Sequence, residues 1–115
     1  MTVTSVIAVV NVADFTAASE WFGRLLQREA DLVPVDGIAE WQLAPAAWLQ
    51  VAENPERAGR SSVNIGVGDV DGYVARLRAS GFEPADVEVI PDVVKFSTLL
   101  DPEGNEVVLS QELAS

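Results

Sequence analysis

The side chains able to do chemistry in this sequence form a short set. There is no histidine and no cysteine. The commonest metal ligand, the commonest general base and the thiolate nucleophile are therefore all missing. Carboxylates, amides, hydroxyls and arginines remain. Gln50, Ser62 and Asn64 fall in strand-like segments, in phase with the apolar residues Trp48 and Val108 and with Glu106. A few oriented hydrogen-bonding groups in a mostly apolar surround suit a small-molecule pocket. Trp48 and Trp41 are candidates to stack on a ligand, or else core or dimer-interface aromatics. Trp48 is the better placed, because it shares a strand face with Gln50. Arg57 and Arg60 could hold an anionic group, or serve as solubilising surface. Glu40 and Glu106 are the carboxylates available for acid–base work.

The charge balance excludes some partners. Eighteen acids against seven bases leave a net charge of −11. Such a surface repels phosphate backbones, and the bases form no stripe, so no nucleic-acid partner is expected. The opening segment "MTVTSVIAVVNVADF" lacks a positive region, and Asn11 and Asp14 break its apolar run. No signal peptide and no membrane span are expected. The lack of cysteine fits a reducing cytoplasm.

These residues need elements to position them. "TSVIAVVNV" (4–12) is β-branched and reads as a buried strand. Asp14 is placed to cap a helix over 15–27, with Phe15, Ala18, Phe22, Leu25 and Leu26 at helical spacing. Strands are expected at 30–35, 38–44 and 47–53, with turns at Asp36–Gly37 and Pro45–Ala46. Pro34 assigns the first of these to a sheet edge. "NPERAGR" (54–60) reads as a linker. The pattern then restarts. A strand at 61–67 leads to Asp69 as a cap, a helix carrying Val70, Tyr73, Val74 and Leu77 on one face, and Gly81 at its C-terminal exit. Strands at 82–90, 93–100 and 105–110 follow.

The order βαβββ, linker, βαβββ implies an internal repeat. Aligning Asp14 with Asp69 sets Val12 on Val67, Val10 on Ile65 and Phe22 on Leu77. The fold class expected is α+β, one domain over 1–115. Module one spans about 1–53, the linker 54–60 and module two 61–115. The two modules form a curved mixed sheet, a cup with the helices outside. Alternation sends Val6, Ala8, Val10, Val12, Leu49, Val51, Val63, Ile65, Val67, Val107 and Leu109 under the helices. It leaves Ile7, Val9, Asn11, Trp48, Gln50, Ala52, Ser62, Asn64, Gly66, Glu106, Val108 and Ser110 on the other face. That mixture suits a ligand-cavity lining, and equally a solvated or dimer-covered face.

With its paired βαβββ plan, the segment "VIAVVNVADFTAASEWFGRLL" and the closing "DPEGNEVVL", the chain resembles the glyoxalase/bleomycin-resistance/extradiol dioxygenase group, the vicinal oxygen chelate superfamily. The resemblance covers nearly the whole chain. "DPEGN" is its most specific motif, and "V-x-D" precedes both helices. In metal-dependent members of that group, four strand positions carry His, Gln or Glu ligands. The resemblance places those positions here at Ile7, Gln50, Ser62 and Val108. Ile and Val offer no lone pair, and Gln50 with Ser62 is too few donors for a divalent ion. The resemblance thus implies a member without the metal set and without a cofactor.

Three functions fit these readings. The first is a metal-independent small-molecule binder, acting as a homodimer, with a cup lined by Ile7, Trp48, Gln50, Ser62, Asn64 and Val108 and an unspecified ligand. The second is a glyoxalase-like lyase or isomerase, or a dioxygenase, using another site such as Glu106 or Glu40; no catalytic residue is assigned. The third is an interaction module with no ligand.

Overall fold

The computed structural model describes residues 1–113. Ten elements follow the expected order: β1 (Val6–Val12), α1 (Phe15–Leu26), β2 (Leu32–Val35), β3 (Ile38–Ala44), β4 (Ala47–Glu53), β5 (Ser62–Gly66), α2 (Val70–Ala79), β6 (Glu88–Ile90), β7 (Val94–Leu100) and β8 (Glu106–Glu112). The strands hydrogen-bond as two four-stranded sheets with matching orders, β1-β4-β3-β2 and β5-β8-β7-β6. In each sheet the first strand pairs parallel with the fourth, and the remaining pairs are antiparallel. No described helix is long and apolar enough to cross a membrane.

Both helices start as their caps dictate. The Asp14 carboxylate accepts the Ala17 N–H at 3.1 Å, and the Asp69 carboxylate accepts that of Gly72 at 3.1 Å. Each satisfies an amide with no partner inside its helix. Gly81, at φ +92°, takes the left-handed exit that a side chain resists. In the first sheet Ala18, Phe22 and Leu25 of α1 are buried, as are Val10, Val12, Ala39, Trp41, Leu49 and Val51. In the second, Val70, Val74 and Leu77 of α2 are buried, as are Val63, Leu99, Val107 and Leu109. Alternation makes this division, except that Val6, expected under the helix, is exposed at the start of β1, and Ala8, Ile65 and Val67 are only partly buried.

Two expectations need correction. The segment 4–12 is not a buried strand. β1 is a sheet edge, and Val6, Ile7 and Val9 on it are exposed while Val10 and Val12 are fully buried. The strand expected over 82–90 shrinks to Glu88–Ile90. Phe82 is drawn back to the helix end, its N–H on the Leu77 carbonyl at 3.0 Å, and Pro84 has no N–H to give a ladder. Between the core and stacking roles open to Trp41, the structure gives it the core. It is 1% exposed, its indole N–H is on the Arg28 carbonyl at 3.0 Å, and its ring is 6.5 Å from that of Phe22.

The chain divides into two compact units, but not at the linker alone. Residues 101–105, the "DPEGN" turn between β7 and β8, belong with residues 1–61. Asn105 shows why. It is fully buried, and its amide joins three strands of sequence: Oδ1 accepts from Ser61 N at 2.8 Å, and Nδ2 donates to the Asn11 carbonyl at 3.0 Å and to Asp101 Oδ2 at 2.7 Å. Asp101 Oδ1 accepts from the N–H groups of Glu103 and Asn105 at 2.9 and 2.8 Å. The Glu103 carboxylate takes the N–H groups of Ala13 and Asp14 at 2.7 and 3.0 Å. The linker closes over this turn at Gly59, where φ is +80° and an added Cβ would lie 2.5 Å from the Glu103 carbonyl oxygen. Gly59→Ala should therefore cost about 2 kcal/mol or more, from the left-handed strain and a clash with backbone. Urea unfolding would read it, and a midpoint equal to wild type would show that the turn is free to move away.

Candidate functional site

The face of each sheet turned away from its helix is arranged in rows. In the first unit Ile7 pairs with Trp48 and Val9 with Gln50 across β1 and β4, and Glu40 pairs with Gln50 and Gln42 with Trp48 across β3 and β4. Partners in register share a face. One row is thus Gln42, Trp48 and Ile7, and the next is Glu40, Gln50 and Val9. Gln50 Nε2 donates to Glu40 Oε2 at 2.8 Å, and Gln42 Nε2 to the Pro45 carbonyl at 2.9 Å. Ile7 is 47% exposed and Val9 44%, while Trp48 is half-buried.

In the second unit Ser62 pairs with Glu106 and Asn64 with Val108 across β5 and β8; Thr98 pairs with Val108 and Phe96 with Ser110 across β7 and β8. Ser62 Oγ donates to Glu106 Oε1 at 2.8 Å, and Ser110 Oγ to Asn64 Oδ1 at 2.6 Å. The two ladders correspond residue for residue. Gln50 opposes the residue two beyond Ile7, and Val108 opposes the residue two beyond Ser62.

Trp48, Gln50 and Ile7 thus come together on one unit, and Ser62, Asn64 and Val108 on the other. Gln42, Thr98 and Phe96 share these faces and went unremarked in the sequence. Applying the same alternation to β3 and β7 would have found them. Arg57 and Arg60 are both exposed.

The four positions that the family resemblance assigns to metal ligands are poor in free donors. Ile7 and Val108 have no donor atom. The Gln50 amide and the Ser62 hydroxyl each engage a carboxylate on the adjacent strand. Among the described residues no group of three or more His, Cys, Asp or Glu side chains is arranged to hold a metal ion. Two titrating groups are clearly displaced. Burial pushes the Tyr73 phenol up, with the Arg76 guanidinium opposing it. The hydrogen bond and charge of Asp71 push the Lys95 ammonium up. Both displacements favour the form already dominant at neutral pH, so neither produces an activated base.

Comparison with known proteins agrees with this plan. The family model for a glyoxalase-like domain matches residues 7–110. The glyoxalase/bleomycin resistance protein of Catenulispora acidiphila DSM 44928 is 34% identical, with a TM-score of 0.85 over 93% of this chain and 96% of that one. TnmS3, an antibiotic binding protein from Streptomyces sp. CB03234, is 19% identical with a TM-score of 0.80, over 94% of each chain. Lactoylglutathione lyase from Agrobacterium tumefaciens is 16% identical with a TM-score of 0.75, over 91% of this chain and 90% of that one. The last two likenesses concern the fold alone. No curated protein gives a match. Repeat, sheet order and family match together establish that the chain belongs to the glyoxalase-like domain family, within the glyoxalase/bleomycin-resistance (vicinal oxygen chelate) superfamily.

Proposed function

We propose that this chain is a small-molecule-binding protein of the glyoxalase/bleomycin-resistance type that works without a metal. The observation that carries the reading is the state of the four ligand positions. Two are aliphatic, and two are tied to neighbouring carboxylates. The chain has no His or Cys, and Ile7 and Val108 are aliphatic, so these faces are poor in groups for acid–base and nucleophilic chemistry. They do retain means of binding. Ile7 and Val9 present apolar surface beside the half-buried Trp48 ring, and the Gln50 and Asn64 amides are held in fixed orientation. The ligand-binding residues in this reading are Ile7, Trp48 and Gln50 on the first unit and Ser62, Asn64 and Val108 on the second. A homodimer belongs to the reading too, supported by the exposed apolar edge strand β1, which no described strand pairs on its outer side.

Tryptophan fluorescence against a panel of ring-containing compounds tests this. Trp48→Ala should weaken any binder by roughly thirtyfold, the loss of an aromatic anchor. Elemental analysis of the purified protein should show no transition metal near stoichiometry. A stoichiometric metal, or full affinity in Trp48→Ala, would overturn the reading.

A further inference from the structure

The first unit carries a second concavity, on its helix side. A cleft between α1 and the β2–β3 hairpin encloses about 510 Å³, with Phe15, Ser19, Gly23, Ala30, Val33 and Trp41 among its walls. That volume lies within the roughly 300–1,000 Å³ of small-molecule sites. Gly23 contributes no side chain to the wall, which deepens it. Ser19 lines the cleft, and its Oγ is buried and makes no hydrogen bond. The charged side chains lining this part are two acids, Glu20 and Glu29, and two bases, Arg24 and Arg28. Arg28 is already committed to Asp31 at 3.3 Å and to the Gln42 carbonyl.

A second pocket of about 520 Å³ adjoins it, sharing Phe15 and Val33 as walls. The charged side chains there are all acids: Asp14, Asp36 and Glu53. Among the described residues none of the three forms an ion pair. The positive end of the α1 dipole would offset them, but Glu103 already sits on it through Ala13 N and Asp14 N. The cleft is therefore apolar and charge-balanced at one end and negative at the other.

We propose that this cleft binds an amphiphilic organic cation: a ring system seated against Phe15, Ala30 and Val33, with an amine directed to Asp36 and Glu53. It is separate from the face carrying Trp48 and Gln50, since Trp41 and Gln50 lie on opposite sides of the same sheet.

The test is an amide NMR titration of the full chain with 2-naphthylmethylammonium, using 2-naphthylmethanol and 2-naphthoate as neutral and anionic probes. The cation should bind about tenfold more tightly than the alcohol, the sum of two exposed ion pairs. Shifts should centre on Phe15, Gly23, Val33 and Gly37. Asp36→Asn combined with Glu53→Gln should erase the preference and keep alcohol binding; the first change leaves a favourable Asn-Gly turn. Gly23→Leu should abolish binding of both probes, with Ser19→Leu as a second filling variant should the first misfold. Trp48→Ala should leave both affinities intact. Equal affinity for the three probes, shifts centred on Ile7, Trp48 and Gln50, or no saturable shift would overturn the proposal. So would concentration-dependent shifts at the cleft without probe, which would mean that a second copy of the chain occupies it.

Discussion

Asn105→Ala is expected to cost on the order of 3 kcal/mol of folding stability, although the residue lies in a turn. Surface turns usually tolerate such changes. This one does not follow the rule, because the Asn105 amide is fully buried and its oxygen and nitrogen are both used. Removing it leaves the Ser61 N–H without its partner and leaves the Asn11 carbonyl only the longer bond from the Gly59 N–H at 3.3 Å; an orphaned buried group costs about 1–3 kcal/mol. Asn105→Asp should fare no better. It deletes the donor and sets a second carboxylate where Asp101 Oδ2 now accepts a hydrogen bond. Chemical denaturation of both variants measures this. A loss below about 1 kcal/mol would mean that water replaces the amide, and that the turn is an ordinary surface loop.

Trp41→Ala should lose about 3–5 kcal/mol, the usual range for deleting a fully buried aromatic. The ring is 1% exposed and sits among Phe22, Leu49 and the α1 face. Its indole N–H also satisfies the Arg28 carbonyl just beyond the helix end. Trp41→Phe should recover most of the packing and lose the hydrogen bond, for a cost nearer 1–2 kcal/mol. The pair of variants separates core from ligand-stacking roles. If Trp41→Ala unfolded at the wild-type denaturant midpoint and only weakened ligand binding, the core assignment would be wrong.

The two tryptophans show what periodicity can and cannot say. Both fall in alternating strands and both looked fit to stack on a ligand. Their sides of the sheet follow from register: Trp41 pairs with Leu49, which faces α1, whereas Trp48 pairs with Ile7 on the opposite face. A one-residue slip would exchange them, and nothing local to "IAEWQLAPAAWLQV" forbids that slip. The strand over 82–90 failed for a related reason. Its composition is strand-like, but Phe82 gains more by closing the end of α2 than by joining a ladder that Pro84 would interrupt.

The motif "DPEGN" was legible as a turn, and the Gly104 N–H on the Asp101 carbonyl at 3.1 Å closes it as one. Its task was not legible. The contacts that matter join residues 89 to 94 positions apart in sequence, Glu103 to Asp14 and Ala13 and Asn105 to Asn11. No local pattern records such pairs. The cleft beside α1 was hidden in the same way. Phe15, Gly23 and Val33 are unremarkable one by one, and become a wall only when the helix lies beside the β2–β3 hairpin.

Sequence alone therefore determined the elements that short-range physics controls: two capped helices, alternating strands, a repeated βαβββ order, and the chemical poverty of Ile7 and Val108 as ligands. These follow from side-chain type and from periods of two and 3.6 residues. The tertiary structure decided the rest: which tryptophan is core, that Gln50 and Ser62 are spent on carboxylates, and that a turn from the second repeat packs with the first. Those outcomes depend on register and on long-range burial, where a polar group's value is set by partners far away in the chain.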